Sequence, residues 1–171
     1  MDFNKAFSNN INKKDVEQIT CYVGNNQKRF SELMKYVLGN DTQKARLAAW
    51  PMSYVVIDYQ SLIRPYLKAC VDKLYEKNVH PAIKRNILRF LQEIDIPAKL
   101  HAKTLNICFK IISATDEPIA CKAFALSILE NLTKIYPELQ NELHLHIMQE
   151  MEKPSAAFAS RAKKILKRLN K

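Results

Sequence analysis

The residues best equipped for chemistry are four histidines and four cysteines. His144 and His146, in the run ELHLH, stand two apart, which on a helix sends them to different faces. Glu142 and His146 are four apart and share a face, but no third ligand accompanies them, as a zinc centre requires. His80 precedes Pro81 and reads as a helix-start residue; His101 reads as surface or half-buried. Cys21, Cys70, Cys108 and Cys121 form no CxxC pair and each has apolar neighbours, so they are expected to be buried, reduced thiols of a cytoplasmic protein. A nucleophilic cysteine and a histidine base meet only in the fold, and nothing here selects one pair. Glu150 and Glu152 read as solvated helix surface. Glycine-rich phosphate loops are absent, which argues against P-loop or dinucleotide chemistry. The expectation is a protein without catalysis, metal or cofactor.

Binding chemistry is better represented. Arg161, Lys164, Arg168 and Lys171 recur at i, i+3, i+7 and i+10 and form one helical stripe, with Lys163 and Lys167 beside the apolar face. Such a strip suits phosphate backbones or an acidic partner. It equally suits a soluble capping helix whose cations face its own C-terminal dipole. Trp50, Tyr54 and Tyr59, with Tyr66 and Tyr75 further on, concentrate aromatic surface. They read either as core or as a patch for a partner, since Tyr and Trp dominate interface anchors.

The elements that must position these groups are helical. The 171 residues include only two glycines, Gly24 and Gly39, which disfavours an all-β fold with its glycine-dependent turns. Apolar positions follow a helical period: Leu67, Cys70, Val71 and Leu74; Ile83, Ile87, Phe90, Leu91 and Ile94; Leu100, Thr104, Ile107, Cys108 and Ile111. About nine helices of roughly 9 to 20 residues are predicted. Pro81, Pro97, Pro118 and Pro137 suit first turns, whereas Pro51 should kink its helix. Asp41, after Gly39-Asn40, reads as an N-cap. No apolar run is long enough to span a membrane, and the polar start MDFNKAFSNNINKK lacks a secretory apolar stretch. The net charge is +10, of which residues 153–171 supply seven Lys or Arg and no acid.

One phrase is written repeatedly. HPAIKRNILRF at 80–90 is echoed by EPIACKAFALS at 117–127: a polar residue, proline, a basic residue four positions on, then an apolar helix. Aligned on the basic residue, Arg46, Arg85, Lys122 and Arg161 are 39, 37 and 39 residues apart. The pattern resembles HEAT or HEAT-like repeats over roughly residues 26 to 169. That resemblance implies an all-α, right-handed α-solenoid of four to five helical hairpins, a single domain over 1–171. Residues 1–14 would be a polar lead-in and 155–171 a basic capping helix. It also implies that an aspartate in the turn inside a repeat pairs with the register cation. Asp116 and Lys122 fit, while Asn40, Val79 and Ser155 stand in the other turns. The chain is therefore expected to be a protein-binding or scaffold module, because a lone hairpin cannot bury its apolar face and stacked ones expose a long surface. The alternative is nucleic-acid binding, for which HEAT-like DNA alkylation-repair glycosylases are the sharpest comparison. Of their aromatic and acidic site residues, only Trp50 with Asp58 nearby is matched.

Overall fold

Helices begin where a side-chain oxygen can take the first free amide protons. Asn12 accepts from Lys14 and Asp15, and Asp15 returns a bond to the Asn12 amide, closing a capping box at the start of α2, Lys13–Val23. Asp2 Oδ1 accepts from the Asn4 and Lys5 amides at the start of α1, Phe3–Ala6. Asn26 caps α3, Gln27–Val37, and Asp41 caps α4, Thr42–Asp58, at 3.1 Å from the Lys44 amide, as expected. Between α2 and α3 the chain turns at Gly24, whose φ of +46° suits glycine. At Gly39 the reason is space: a Cβ there would lie 2.8 Å from the Lys35 carbonyl oxygen.

A computed structural model of the chain describes residues 1–151 and 156–169. Among these, the remaining helices are α5, Leu67–Lys73; α6, Pro81–Leu91; α7, Ala98–Ser113; α8, Ile119–Thr133; α9, Gln140–Glu150; and α10, Ala156–Leu169. Short 3-10 turns occupy Gln60–Ile63 and Pro137–Leu139. No strand occurs among the described residues, so the all-α expectation holds, although α1 and α5 are shorter than predicted. His80 caps α6 as expected, its Nδ1 accepting from the Ala82 amide at 3.1 Å. Pro81 opens α6, but Pro97 and Pro118 stand one residue earlier than expected, as the extended caps of α7 and α8. Proline's fixed φ serves there as well, and no helical donor is lost. Helix α4 runs on through the buried Pro51. No helix is long and apolar enough to cross a membrane among the described residues.

The chain divides into two compact units, Met1–Ile94 and Asp95–Lys171. In the first, α4 is the central rod and packs against α2, α3 and α6. Ala48, Ala49, Met52, Val55 and Val56 are sealed from solvent along it. The small residues let neighbouring helices approach, and the larger ones supply the apolar area. One polar link crosses this core: the buried Ser53 hydroxyl donates to the Trp50 carbonyl at 2.8 Å and lies 3.3 Å from Asn86 Oδ1 of α6. The polar lead-in is anchored by Phe3 and Phe7, both buried, with Tyr36 edge-on to each ring.

In the second unit α8 is central, against α7, α9 and α10. Cys121, Ala125, Leu126 and Leu129 are fully enclosed, in keeping with its apolar sequence on nearly every side. Two expectations fail. His101 is buried, not at the surface: its Nε2 donates to the Ile96 carbonyl at 2.6 Å, which leaves Nδ1 to accept from the Tyr136 hydroxyl at 2.9 Å. Both ring nitrogens are satisfied, which is what allows a polar ring inside. Cys21 is exposed, whereas Cys70, Cys108 and Cys121 are buried as expected. In α2 the apolar face is Val16, Ile19 and Val23, and position 21 falls off it.

Candidate functional site

A groove of about 430 Å³ lies between α2 and α4 of the first unit. One wall is the solvent side of α4 and its exit, with Trp50, Tyr54, Asp58 and Tyr59. Their spacing of i, i+4 and i+8 from Trp50 to Asp58 places three of them on one face of the helix, and Tyr59 turns the corner after it. The facing wall is α2, through Lys13, Glu17, Thr20 and Cys21, with Val16 in the floor. Tyr54 and Tyr59 are 41% and 36% exposed, high values for large rings. Asp58 and Glu17 are exposed too, and Lys13 sits 3.7 Å from the Glu17 carboxylate with both side chains well solvated. Thr20 contributes a buried Oγ1 with no hydrogen-bond partner among the described residues. Across α4, the Arg89 guanidinium of α6 lies over the Tyr54 ring, 5.3 Å from its centroid.

Trp50, Tyr54 and Tyr59, singled out from the sequence, are thus brought together, and Asp58 joins them. Tyr66 is a packing residue: its hydroxyl donates to Ser31 Oγ at 2.7 Å and its ring meets Phe30 edge-on. The α2 wall was not anticipated. Its signal was present as the spacing Lys13, Val16, Glu17, Thr20 and Gly24, one helical face that mixes polar and apolar groups.

The basic positions behave differently. Arg46 donates to Asn10 Oδ1 at 2.9 Å, a bond spanning 36 residues. Arg161 donates to the Ala123 carbonyl at 3.1 Å and to Ser127 Oγ at 2.7 Å, reaching back 38 and 34 residues. These spans match the interval at which the cation recurs in the sequence. A model of the HEAT repeat domain matches residues 3–169. The chain belongs to the HEAT repeat family. The comparisons with curated proteins and with solved structures gave no match.

In HEAT-repeat terms, Arg46 and Arg161 tie one repeat to the preceding stretch. Lys122 departs from the expected pattern: it pairs with Glu150 of α9 at 2.6 Å, not with Asp116. The turn holding Asp116 leaves its carboxylate exposed, whereas Glu150 meets the ammonium where both side chains are largely shielded. Arg85 is half-buried and its Nε has no hydrogen-bond partner among the described residues. Of the expected basic stripe, Arg161 is turned inward onto α8, and Arg168 pairs with Glu130 of α8. Lys164 stays exposed, as do Lys163 and Lys167, while Phe158, Ala162 and Ile165 are buried on the opposite side. Lys171 and Ser155, and the side chain of Leu169, lie outside the described residues.

No group of three or more metal-ligating side chains occurs among the described residues. His146 Nδ1 lies 3.1 Å from Ser113 Oγ, and its ring packs on Phe109. Burial pushes the Cys70 thiol up to about 12, with Lys73 pulling slightly the other way, and burial raises Cys108 as well. Neither is a thiolate at neutral pH, so neither has the form a nucleophile needs.

Proposed function

We propose that this HEAT repeat chain is a non-catalytic protein-binding module of the cytoplasm, and that its docking surface is the groove between α2 and α4. The observation that carries the reading is the set of three aromatic side chains, Trp50, Tyr54 and Tyr59, lining one concavity with two of them solvent-facing. Rigid amphipathic rings bury large area at little entropic cost, which is why they anchor interfaces. A groove of this size accepts a few side chains of a peptide or loop. The right-handed arrangement of four to five hairpins stays within the proposal; the two arginine bonds that span one repeat interval support the repeat itself.

Nucleic-acid binding is the weaker reading. It draws on the +10 charge and on the exposed Lys163, Lys164 and Lys167. Against it, Arg161 is turned onto the Ala123 carbonyl and the Ser127 hydroxyl, and Arg168 pairs with Glu130.

The test runs two assays side by side. Full-length protein and a Tyr54→Ala/Tyr59→Ala variant are used as bait for proteins of the source cells, and both are titrated with fluorescent duplex and single-stranded DNA at two salt concentrations. Partners retained by the wild type and lost by the variant are expected, with flat DNA titrations. Submicromolar DNA binding that weakens steeply with salt, together with identical capture by both baits, would overturn the proposal.

A further inference from the structure

Resting on the reading of the groove as the docking site, we infer that its occupant is a basic side chain, a lysine or arginine presented by the partner protein. Three observations converge. The chain carries +10 overall, yet the groove lining holds two carboxylates, Glu17 and Asp58, against one ammonium, Lys13. A lining with one carboxylate in excess, in a basic protein, favours a cation over an anion. Next, the aromatic wall offers π faces to a cation, and Tyr54 already carries the Arg89 guanidinium at 5.3 Å. Cation and ring attract through the ring quadrupole, most strongly when water is excluded. Finally, Lys13 reaches Glu17 at only 3.7 Å with 84% and 65% of the two side chains exposed, a loose pair that a better-held cation displaces.

The geometry also assigns roles. The stem of a lysine or arginine packs along Trp50 and Tyr54 while the charged head meets Asp58 and Glu17, the division of labour amphipathic side chains adopt on any mixed surface. A phosphate or acidic peptide would meet like charge in the same place.

Trp50 is the single tryptophan of the chain, so its fluorescence reports on the groove directly. Full-length protein is titrated with an end-blocked tetralysine peptide, with the same peptide acetylated on every side chain, and with a short single-stranded DNA. The lysine peptide is expected to give a saturable change that weakens with salt. A Glu17→Gln/Asp58→Asn variant should weaken it about tenfold or more, since each lost charge contact removes a fair share of a modest affinity. Glu138→Gln, an exposed carboxylate of the other unit, should leave it unchanged. Circular dichroism confirms that the variants stay folded. Equal response to acetylated and free lysine peptides would overturn the inference while leaving the groove as a docking site. So would a stronger response to DNA, or none to tetralysine in folded protein. Failure of the groove reading itself shows instead as unchanged partner capture by the tyrosine variant.

Discussion

The two central helices, α4 and α8, solve the same packing problem with different results. Both are lined with small residues and both are flanked by three other helices. Helix α8 is additionally bound on its polar flank, where Ala123, Ser127 and Glu130 receive Arg161 and Arg168 of α10. Helix α4 has a polar link inside the core, Ser53 to Asn86, and leaves its Trp50–Tyr59 flank uncovered. In α8 the flank beside the core is closed by cations from the next helix. In α4 the corresponding resource, aromatic surface, is left open to solvent. A repeat scaffold can therefore set aside a binding surface simply by not closing one flank.

The largest expected effect tests how tightly the two rods are sealed. Leu126→Ala in α8 and Met52→Ala in α4 each remove a fully buried side chain, and each should cost about 2–5 kcal/mol. Urea unfolding reads this as a shift in midpoint. If either costs less than about 1 kcal/mol, that rod relaxes into the space and is not close-packed.

The thiols sharpen the same contrast between sealed and open. Cys21, at the groove, should react promptly with an aromatic disulfide reagent in native protein, while Cys70, Cys108 and Cys121 wait for unfolding. The pH dependence has a definite sign. The folded-state value of Cys70 is raised from 9.0 to about 12, so between those values the folded chain holds a proton that the unfolded chain has lost. Stability is therefore full below pH 9 and falls as pH rises through that window. A Cys70→Ala variant should lose less stability than wild type from pH 9 to 11, and equal slopes would show that the thiol is solvated.

Much of the fold was legible because helices announce their ends chemically. Asp41 and His80 cap where their types and spacing suggest, and the apolar faces of α6 and α7 are buried almost residue for residue. Ile94, half-exposed beyond the end of α6, shows that the period continues past the helix it describes. Contacts between helices were less legible. The cation register at 46, 85, 122 and 161 was visible, but not that Lys122 would turn to Glu150, because that choice depends on where α9 comes to lie. His101 looked like a surface residue because its two satisfying partners, the Ile96 carbonyl and Tyr136, come together only in the fold. Half of the groove was readable from Trp50 to Tyr59 along one helix, while the α2 wall needed the packing of α2 on α4.

Glu150→Gln probes the departure from the expected ion pair. Lys122 is 13% exposed and Glu150 26%, so the pair lies between surface and core. Removing its charge should cost about 1–3 kcal/mol, less than a core truncation and more than a solvated pair. Asp116→Asn should stay within about 0.5 kcal/mol. A reversal of these two would restore the aspartate-to-cation pairing that the resemblance to HEAT repeats implies.

A small expected stability effect falls on the residue with the greatest consequence for binding. Tyr54→Ala removes a ring that is 41% exposed and one face of a contact with Arg89, so it should cost only about 0.5–1 kcal/mol. The same change strips the groove of its middle aromatic and should abolish partner capture. Such a split, with stability kept and binding lost, is the behaviour of a side chain held out for a partner. Should Tyr54→Ala instead destabilise as much as Met52→Ala, the ring belongs to the core of α4, and the open flank that distinguishes α4 from α8 is an opening without a purpose.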